Sequence, residues 1–169
     1  MKKTKTTLID CYLAHPITID LVLIILLWVT NRFLTILQLD LDRKNQIDVL
    51  SNIVNSDVAL AGFILAALTI IVTFKSNLKA KGIEDAENAL ELIFSSKHYD
   101  SIVDVFKKAL IEFIGCFIVL FGSWLYSDCL HTNTINRINI SGLFITAAAI
   151  VRSIYVLIMI LNLSKQRGE

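Results

Sequence analysis

The stretch "LFITAAAIVRSIYVLIMILNL" (143–163) decides the fold, because it carries no charge except Arg152, about ten residues from either end. A bilayer core of about 30 Å is crossed by a helix of roughly 20 apolar residues, and this run has that length. The run therefore predicts a transmembrane helix. It also raises the question of how a guanidinium is held near the middle of the membrane, where a charged side chain is costly.

The composition extends this interpretation to most of the chain. The sequence has 169 residues, of which 55% are hydrophobic, with a mean hydropathy of +0.66. Soluble domains are usually about 45–50% apolar. Four segments are long and apolar enough to span: 17–37, 58–74, 109–126 and 142–163. The sequence thus predicts an all-α integral membrane bundle of four transmembrane helices.

The lysines and arginines set the expected orientation. Eleven of them precede span one, lie between spans two and three, or follow span four, whereas only Arg43, Lys44 and Arg137 lie in the opposite loops. Short cytoplasmic loops carry an excess of basic residues. Both termini are therefore expected in the cytoplasm. The predicted order is a cytoplasmic segment 1–16, a helix pair 17–74 with outer loop 38–57, cytoplasmic amphipathic helices 75–108, a helix pair 109–163 with outer loop 127–141, and a tail 164–169.

Three extramembrane features follow from periodicity. The outer loop 38–57 is polar with regularly spaced aliphatic residues, which favours a short outer helix on the membrane surface or on its neighbours. "GIEDAENALELIF" (82–94) predicts a cytoplasmic helix. A second helix begins near "SSKHYD" (95–100) and is expected to run without a break into span three. Its apolar face comprises Tyr99, Ile102, Val103, Phe106 and Leu110.

Small residues recur every three or four positions in span two and form the small face, made of Ala59, Gly62, Ala66, Thr69 and Thr73. Gly115 and Gly122 lie seven residues apart on span three, and Gly142, Thr146 and Ala149 share one face of span four. Such faces let helices approach closely in lipid. Each one either packs inside the bundle or forms an interface between copies. Three of them on so small a bundle predict a homo-oligomer.

The intramembrane charges predict two ion pairs. The acid nearest to Arg152 in depth is Glu112, one turn inside span three, so we expect this pair first. Asp57 is the natural counter-ion of Arg32, although Arg32 lies near enough to the outer surface to extend there instead. A structural ion pair, a role in conduction or sensing, and contact with lipid head groups remain open for Arg152.

No pattern of catalytic residues is present in the sequence. His15, His98 and His131 lie in separate segments without metal-ligand spacing, and no glycine-rich phosphate loop occurs. We expect a non-enzymatic protein without cofactor or metal. Three membrane functions remain: a sensor or anchor, a pore-forming effector, and a small multidrug-type exporter. The exporter ranks last, because it needs a mid-membrane carboxylate where this chain has Arg152.

Two stretches of the sequence are similar to stretches of known membrane proteins. The second span reads "AGFILAAL" (61–68), and "KHYDSIVDVFKKA" (97–109) leads into the third. Over residues 57–126 this layout resembles small bacterial four-span proteins, among them the membrane subunit of Kiwa-type anti-phage defence systems. The resemblance implies an oligomeric inner-membrane sensor that contacts lipid and acts with a cytosolic protein partner. That partner, and not this chain, would engage nucleic acid. We expect Lys97, Tyr99, Lys107 and Lys108 to form the partner surface.

Overall fold

In the computed structural model, residues 8–34, 41–78 and 98–165 are described, and their regular secondary structure is entirely helical, as predicted. The helices are α1 (Leu8–Ala14), α2 (Pro16–Leu34), α3 (Arg43–Leu78), α4 (His98–Leu125) and α5 (Thr132–Lys165), with a short 3-10 helix at Ser127–Cys129. Pro16 opens α2, where its missing N–H removes no intrahelical hydrogen bond. The predicted helix over 82–94 lies outside the described residues.

Three of these helices are long and apolar enough to cross a membrane: Pro16–Phe33, Arg43–Thr73 and Thr132–Met159. The chain is therefore compatible with a membrane protein, but a count of four spans is not confirmed. The remaining long helix, α4, begins with a charged half that contains Asp100, Asp104, Lys107, Lys108 and Glu112.

Helices α3, α4 and α5 form an antiparallel bundle. At one end, Arg43 donates to the carbonyl of Ser127 at 2.6 Å, and at the other, Lys75 lies 3.5 Å from the carboxylate of Asp100. Helix α4 therefore runs beside α3 along nearly its whole length. At about 1.5 Å per residue, the 36 residues of α3 extend roughly 54 Å, which exceeds the membrane core.

The apolar stripe of α4 forms the centre of the bundle. Ile102, Phe106, Ala109 and Phe113 are buried at helical spacing, and they pack with residues of α3 and α5. A second apolar cluster lies toward the Arg43 end and includes Leu50, Ile53, Val54, Cys116, Leu120 and Ile135. The prediction that the stripe continues without a break into the apolar segment 109–126 is confirmed from His98 to Leu125, which form one helix.

The expected short outer helix does not form as a separate element. Residues 43–57 are the first turns of α3, continuous with span two, because no proline or glycine interrupts this stretch and Leu50, Ile53 and Val54 pack in the second cluster. Likewise α5 begins at Thr132, so most of the predicted outer loop 127–141 is helical.

The surface has the polarity expected in lipid. Large apolar side chains such as Ile25, Phe63, Ile118 and Val151 are exposed, whereas several charged side chains are buried. Exposed hydroxyls bond to their own helices: Thr69 donates to the carbonyl of Leu65 and Thr73 to that of Thr69, both at 2.8 Å. Polar groups that face hydrocarbon need such internal partners.

Candidate functional site

Arg152 lies in the interior, with an exposure of only 2%, and its guanidinium contacts two carboxylates. Nη2 donates to Oε2 of Glu112 on α4, which is the pair predicted from the depth of the two residues. Nη1 donates to Oδ2 of Asp20 on α2 at 3.2 Å. The arginine is therefore held by acids from two other helices.

Tyr12 of α1 completes this arginine cluster, which we define as Tyr12, Asp20, Glu112 and Arg152. Its hydroxyl donates to Oδ1 of Asp20 at 3.0 Å and accepts from Nη1 of Arg152 at 3.4 Å. Burial and the bond to Asp20 raise the pKa of Tyr12 to about 12. The phenol therefore stays neutral at physiological pH and remains a hydrogen-bond donor.

The sequence argument missed Asp20 and Tyr12. Asp20 is the one acid within residues 17–37, which was a usable signal, because a carboxylate inside an apolar run needs a partner. Tyr12 gave no such signal, since only the fold of α1 against α2 brings its hydroxyl to the cluster.

The cluster holds two carboxylates and one guanidinium. Oε1 of Glu112 and Nε of Arg152 have no hydrogen-bond partner among the described residues. A buried excess charge in a low-dielectric site is costly unless a proton or a further cation neutralises it. The cluster can therefore accept one positive charge in addition to Arg152.

Helix α2 is attached to the bundle mainly through polar contacts at two levels. Asp20 reaches Arg152 at one level, and at the other, Nε1 of Trp28 donates to the hydroxyl of Ser141 on α5 at 2.9 Å. The guanidinium of Arg137 also lies 5.5 Å from the centroid of the Trp28 ring.

A cleft of about 760 Å³ lies between these levels and separates α2 from α4 and α5. Its walls are apolar, and Asp20 and Glu112 line one end while Arg137 and Thr134 line the other. The apolar wall residues include Ile17, Leu21, Ile24, Ile111, Gly115, Val119, Leu120, Ile138 and Ile145.

The predicted pair between Arg32 and Asp57 is wrong. Asp57 is fully buried on the α3 face that meets α5, where its Oδ1 accepts from the hydroxyl of Thr146 at 2.6 Å. Its Oδ2 has no hydrogen-bond partner in the described part of the chain. Arg32 is exposed, which fits the alternative of extension to the outer surface.

The small faces differ from one another. All five residues of the small face on α3 are exposed, and a Cβ built at Gly62, Gly115 or Gly122 would meet nothing within 4 Å. On α5, by contrast, Gly142 packs inside the bundle, because a Cβ there would lie 2.8 Å from Cδ2 of Leu120. The faces of α3 and α4 are thus not used for packing within the described bundle.

The expected partner surface is not one exposed patch. Tyr99 is only 7% exposed, and Nζ of Lys75 lies 3.5 Å from the centroid of its ring. Lys108 donates to the carbonyl of Ala14 at 2.7 Å and pairs with Asp104 at 2.5 Å. Lys107 is exposed, and Lys97 lies outside the described residues. Tyr99 and Lys108 instead hold parts of the chain together.

The described residues contain no group of three or more His, Cys, Asp or Glu side chains placed to hold a metal ion. No protein family, curated protein or solved structure matches the chain.

Proposed function

We propose that this chain is a non-enzymatic sensor or anchor subunit in a bacterial inner membrane, and that α1 and α2 move relative to the bundle of α3, α4 and α5. The observation that carries the proposal is the attachment of α2. Polar contacts at two levels hold it over an apolar cleft, whereas the other helices are packed around continuous apolar clusters. An element with few apolar contacts is the one most easily displaced by a signal.

The proposed topology has four spans, with both termini in the cytoplasm. Helix α4 lies antiparallel to α3 from Asp100 to Ser127, so a membrane crossed by α3 must also enclose the apolar half of α4. The distribution of lysine and arginine supports the orientation.

The arginine cluster is the proposed switch. Arg152 belongs to the bundle, while Asp20 and Tyr12 belong to the movable pair of helices, so any displacement of α2 separates opposite charges. Such a buried contact is either made or broken, which gives the pair of helices α1 and α2 two discrete states.

The context that we propose is anti-phage defence, with a cytosolic protein partner and self-association of the membrane subunit. The resemblance over residues 57–126 supports the context. The exposed small face of α3 supports a second copy as its neighbour, since close van der Waals contact drives helix association in lipid. We do not assign nucleic-acid binding to this chain.

A pore-forming effector is the second candidate, because the same exposed small face suits an oligomer. It ranks lower, because two carboxylates more than offset the charge of Arg152, so a ring of such sites would offer no net positive field for anions. The two candidates differ in a simple measurement. Expression of a sensor alone leaves the membrane potential unchanged, whereas a constitutive pore dissipates it and arrests growth.

The sensor proposal is tested by Arg152→Leu, expressed together with the genes that flank this one in its genome. We expect protection in a plaque assay to be lost while the amount of protein in the membrane is unchanged, because the switch has lost its central charge. Arg32→Leu is the matched control, since it removes an exposed arginine outside the cluster, and it should protect like wild type. Full protection by Arg152→Leu would show that the cluster is not the switch.

A further inference from the structure

The cleft between α2, α4 and α5 has the size and the wall chemistry of a small-molecule site. Its volume of about 760 Å³ lies within the range of about 300–1,000 Å³ that is usual for ligand pockets. Such pockets are mostly apolar and have a few polar groups that orient the ligand. Here the acidic residues Asp20 and Glu112 line one end.

Glu112 has an unused acceptor at this end. Its side chain is more than nine-tenths buried, and only Oε2 is engaged, by Arg152. Oε1 has no hydrogen-bond partner in the described ranges and is itself closed off from solvent, so a rotation of the carboxyl group is needed to present it to the cleft that Glu112 lines. Buried carboxylate oxygens almost always have a donor, so this atom is suited to accept from a ligand.

The charges around Glu112 favour a cation as that ligand. The charged groups of the cluster are Arg152 on α5 and Asp20 on α2, and Tyr12 on α1 is neutral. On α4 itself, Lys108 already interacts with Asp104 and with the carbonyl of Ala14. With both carboxylates ionised, two negative charges share one guanidinium, so the cluster carries one excess negative charge.

We propose that the cleft binds a lipophilic monocation, an alkyl- or aryl-ammonium ion whose N–H groups donate to Oε1 of Glu112 and whose apolar body lies along the cleft. The ammonium supplies both the missing donor and the missing charge, and the walls bury the apolar part. A charge-assisted hydrogen bond is the strongest kind available to a carboxylate. This site does not depend on the sensor proposal, since binding would occur whether or not α2 moves.

The test uses the full chain in phosphatidylcholine nanodiscs, with naphthylmethylammonium as probe and naphthylmethanol as its neutral counterpart. Binding is measured by equilibrium dialysis. We expect saturable binding of one ammonium ion per chain and at least about tenfold weaker binding of the alcohol, since tenfold corresponds to only about 1.4 kcal/mol. Equal affinity for the two compounds, or no saturable binding of the ammonium, would overturn the proposal.

Two glycines provide a matched pair of variants. Gly115 lines the cleft and Gly122 does not, yet a Cβ at either position meets nothing within 4 Å. Gly115→Leu fills the cleft and should reduce binding of the ammonium at least about tenfold, whereas Gly122→Leu should leave it unchanged. Equal loss in both variants would place the bound probe elsewhere.

Glu112→Gln addresses the carboxylate directly. The variant keeps the size of the side chain and should lower the affinity for the ammonium to that for the alcohol. Should the variant fail to fold, the glycine pair and the two probes still decide the matter, since neither alters the cluster. A phospholipid that copurifies with the chain and that the ammonium cannot displace would identify the cleft as a lipid site instead.

Discussion

The three-helix bundle and the α1–α2 pair are held in different ways. In the bundle, Phe106 and Phe113 of α4 are fully buried among side chains of α3 and α5. Helix α2, in contrast, exposes most of its large apolar side chains and meets the bundle through Asp20 and Trp28. A close-packed apolar core resists displacement as a whole, while a few polar contacts can be broken without disturbing that core. The difference supports the proposal that α2 changes position without unfolding of the rest.

The largest effect is expected for a substitution that disrupts the apolar core of the bundle. Phe106→Ala removes a ring of α4 that is fully buried in the core of the bundle and should lower the free energy of unfolding by about 3–5 kcal/mol. The measurement is thermal unfolding of the purified protein, followed by circular dichroism in a mild detergent. Ile118→Ala is the control, because Ile118 is exposed and its loss should cost less than about 0.5 kcal/mol. Similar losses in both variants would mean that α4 is not the centre of the bundle.

A smaller effect is expected at the buried carboxylate of the bundle. Thr146→Val removes the hydroxyl that donates to Asp57 and keeps the shape of the side chain, so it should destabilise by about 1–3 kcal/mol. Thr73→Val is the matched control, since the hydroxyl of Thr73 is exposed and donates to its own helix. The same unfolding experiment applies. If both substitutions are neutral, Asp57 does not depend on this donor for its burial.

The helical class, three apolar helices and the pair between Arg152 and Glu112 followed from the sequence. The length of an apolar run and the spacing of its residues predict a membrane helix. The depth of a charged residue along that helix limits which partners its side chain can reach. The partners of Asp57 did not follow, because depth places Arg32 near it but does not determine which face of α3 carries the carboxylate. That face is set by the packing of Leu50, Ile53 and Val54, which turns Asp57 toward Thr146.

The cleft and the second acid of the cluster also needed the structure. A sequence gives the apolar residues of α2 but not the gap that separates them from α4 and α5. Asp20 stands out as the one acid within residues 17–37, but its place near the start of that run is equally compatible with a carboxylate that reaches water. Its burial depends on α1, which places Tyr12 over the carboxylate, and no periodic pattern predicts a contact of this kind.

The smallest effect is expected for substitutions that weaken the contact between α2 and the bundle and leave the packing of the bundle intact. Trp28→Phe removes the donor to Ser141 and should cost about 0.5–1.5 kcal/mol, the net contribution of one hydrogen bond. Ser141→Ala should cost a similar amount, and the double variant should lose no more than Trp28→Phe alone, because the hydrogen bond is already absent in that variant. The measurement is the accessibility of a cysteine introduced at Ile24, which lines the cleft on α2, to a maleimide reagent in a background without the native cysteines. Labelling should accelerate in all three variants while the thermal unfolding midpoint shifts little. A fall in that midpoint as large as the one in Phe106→Ala would mean that α2 and the bundle unfold together, and the distinction between the two regions would be lost.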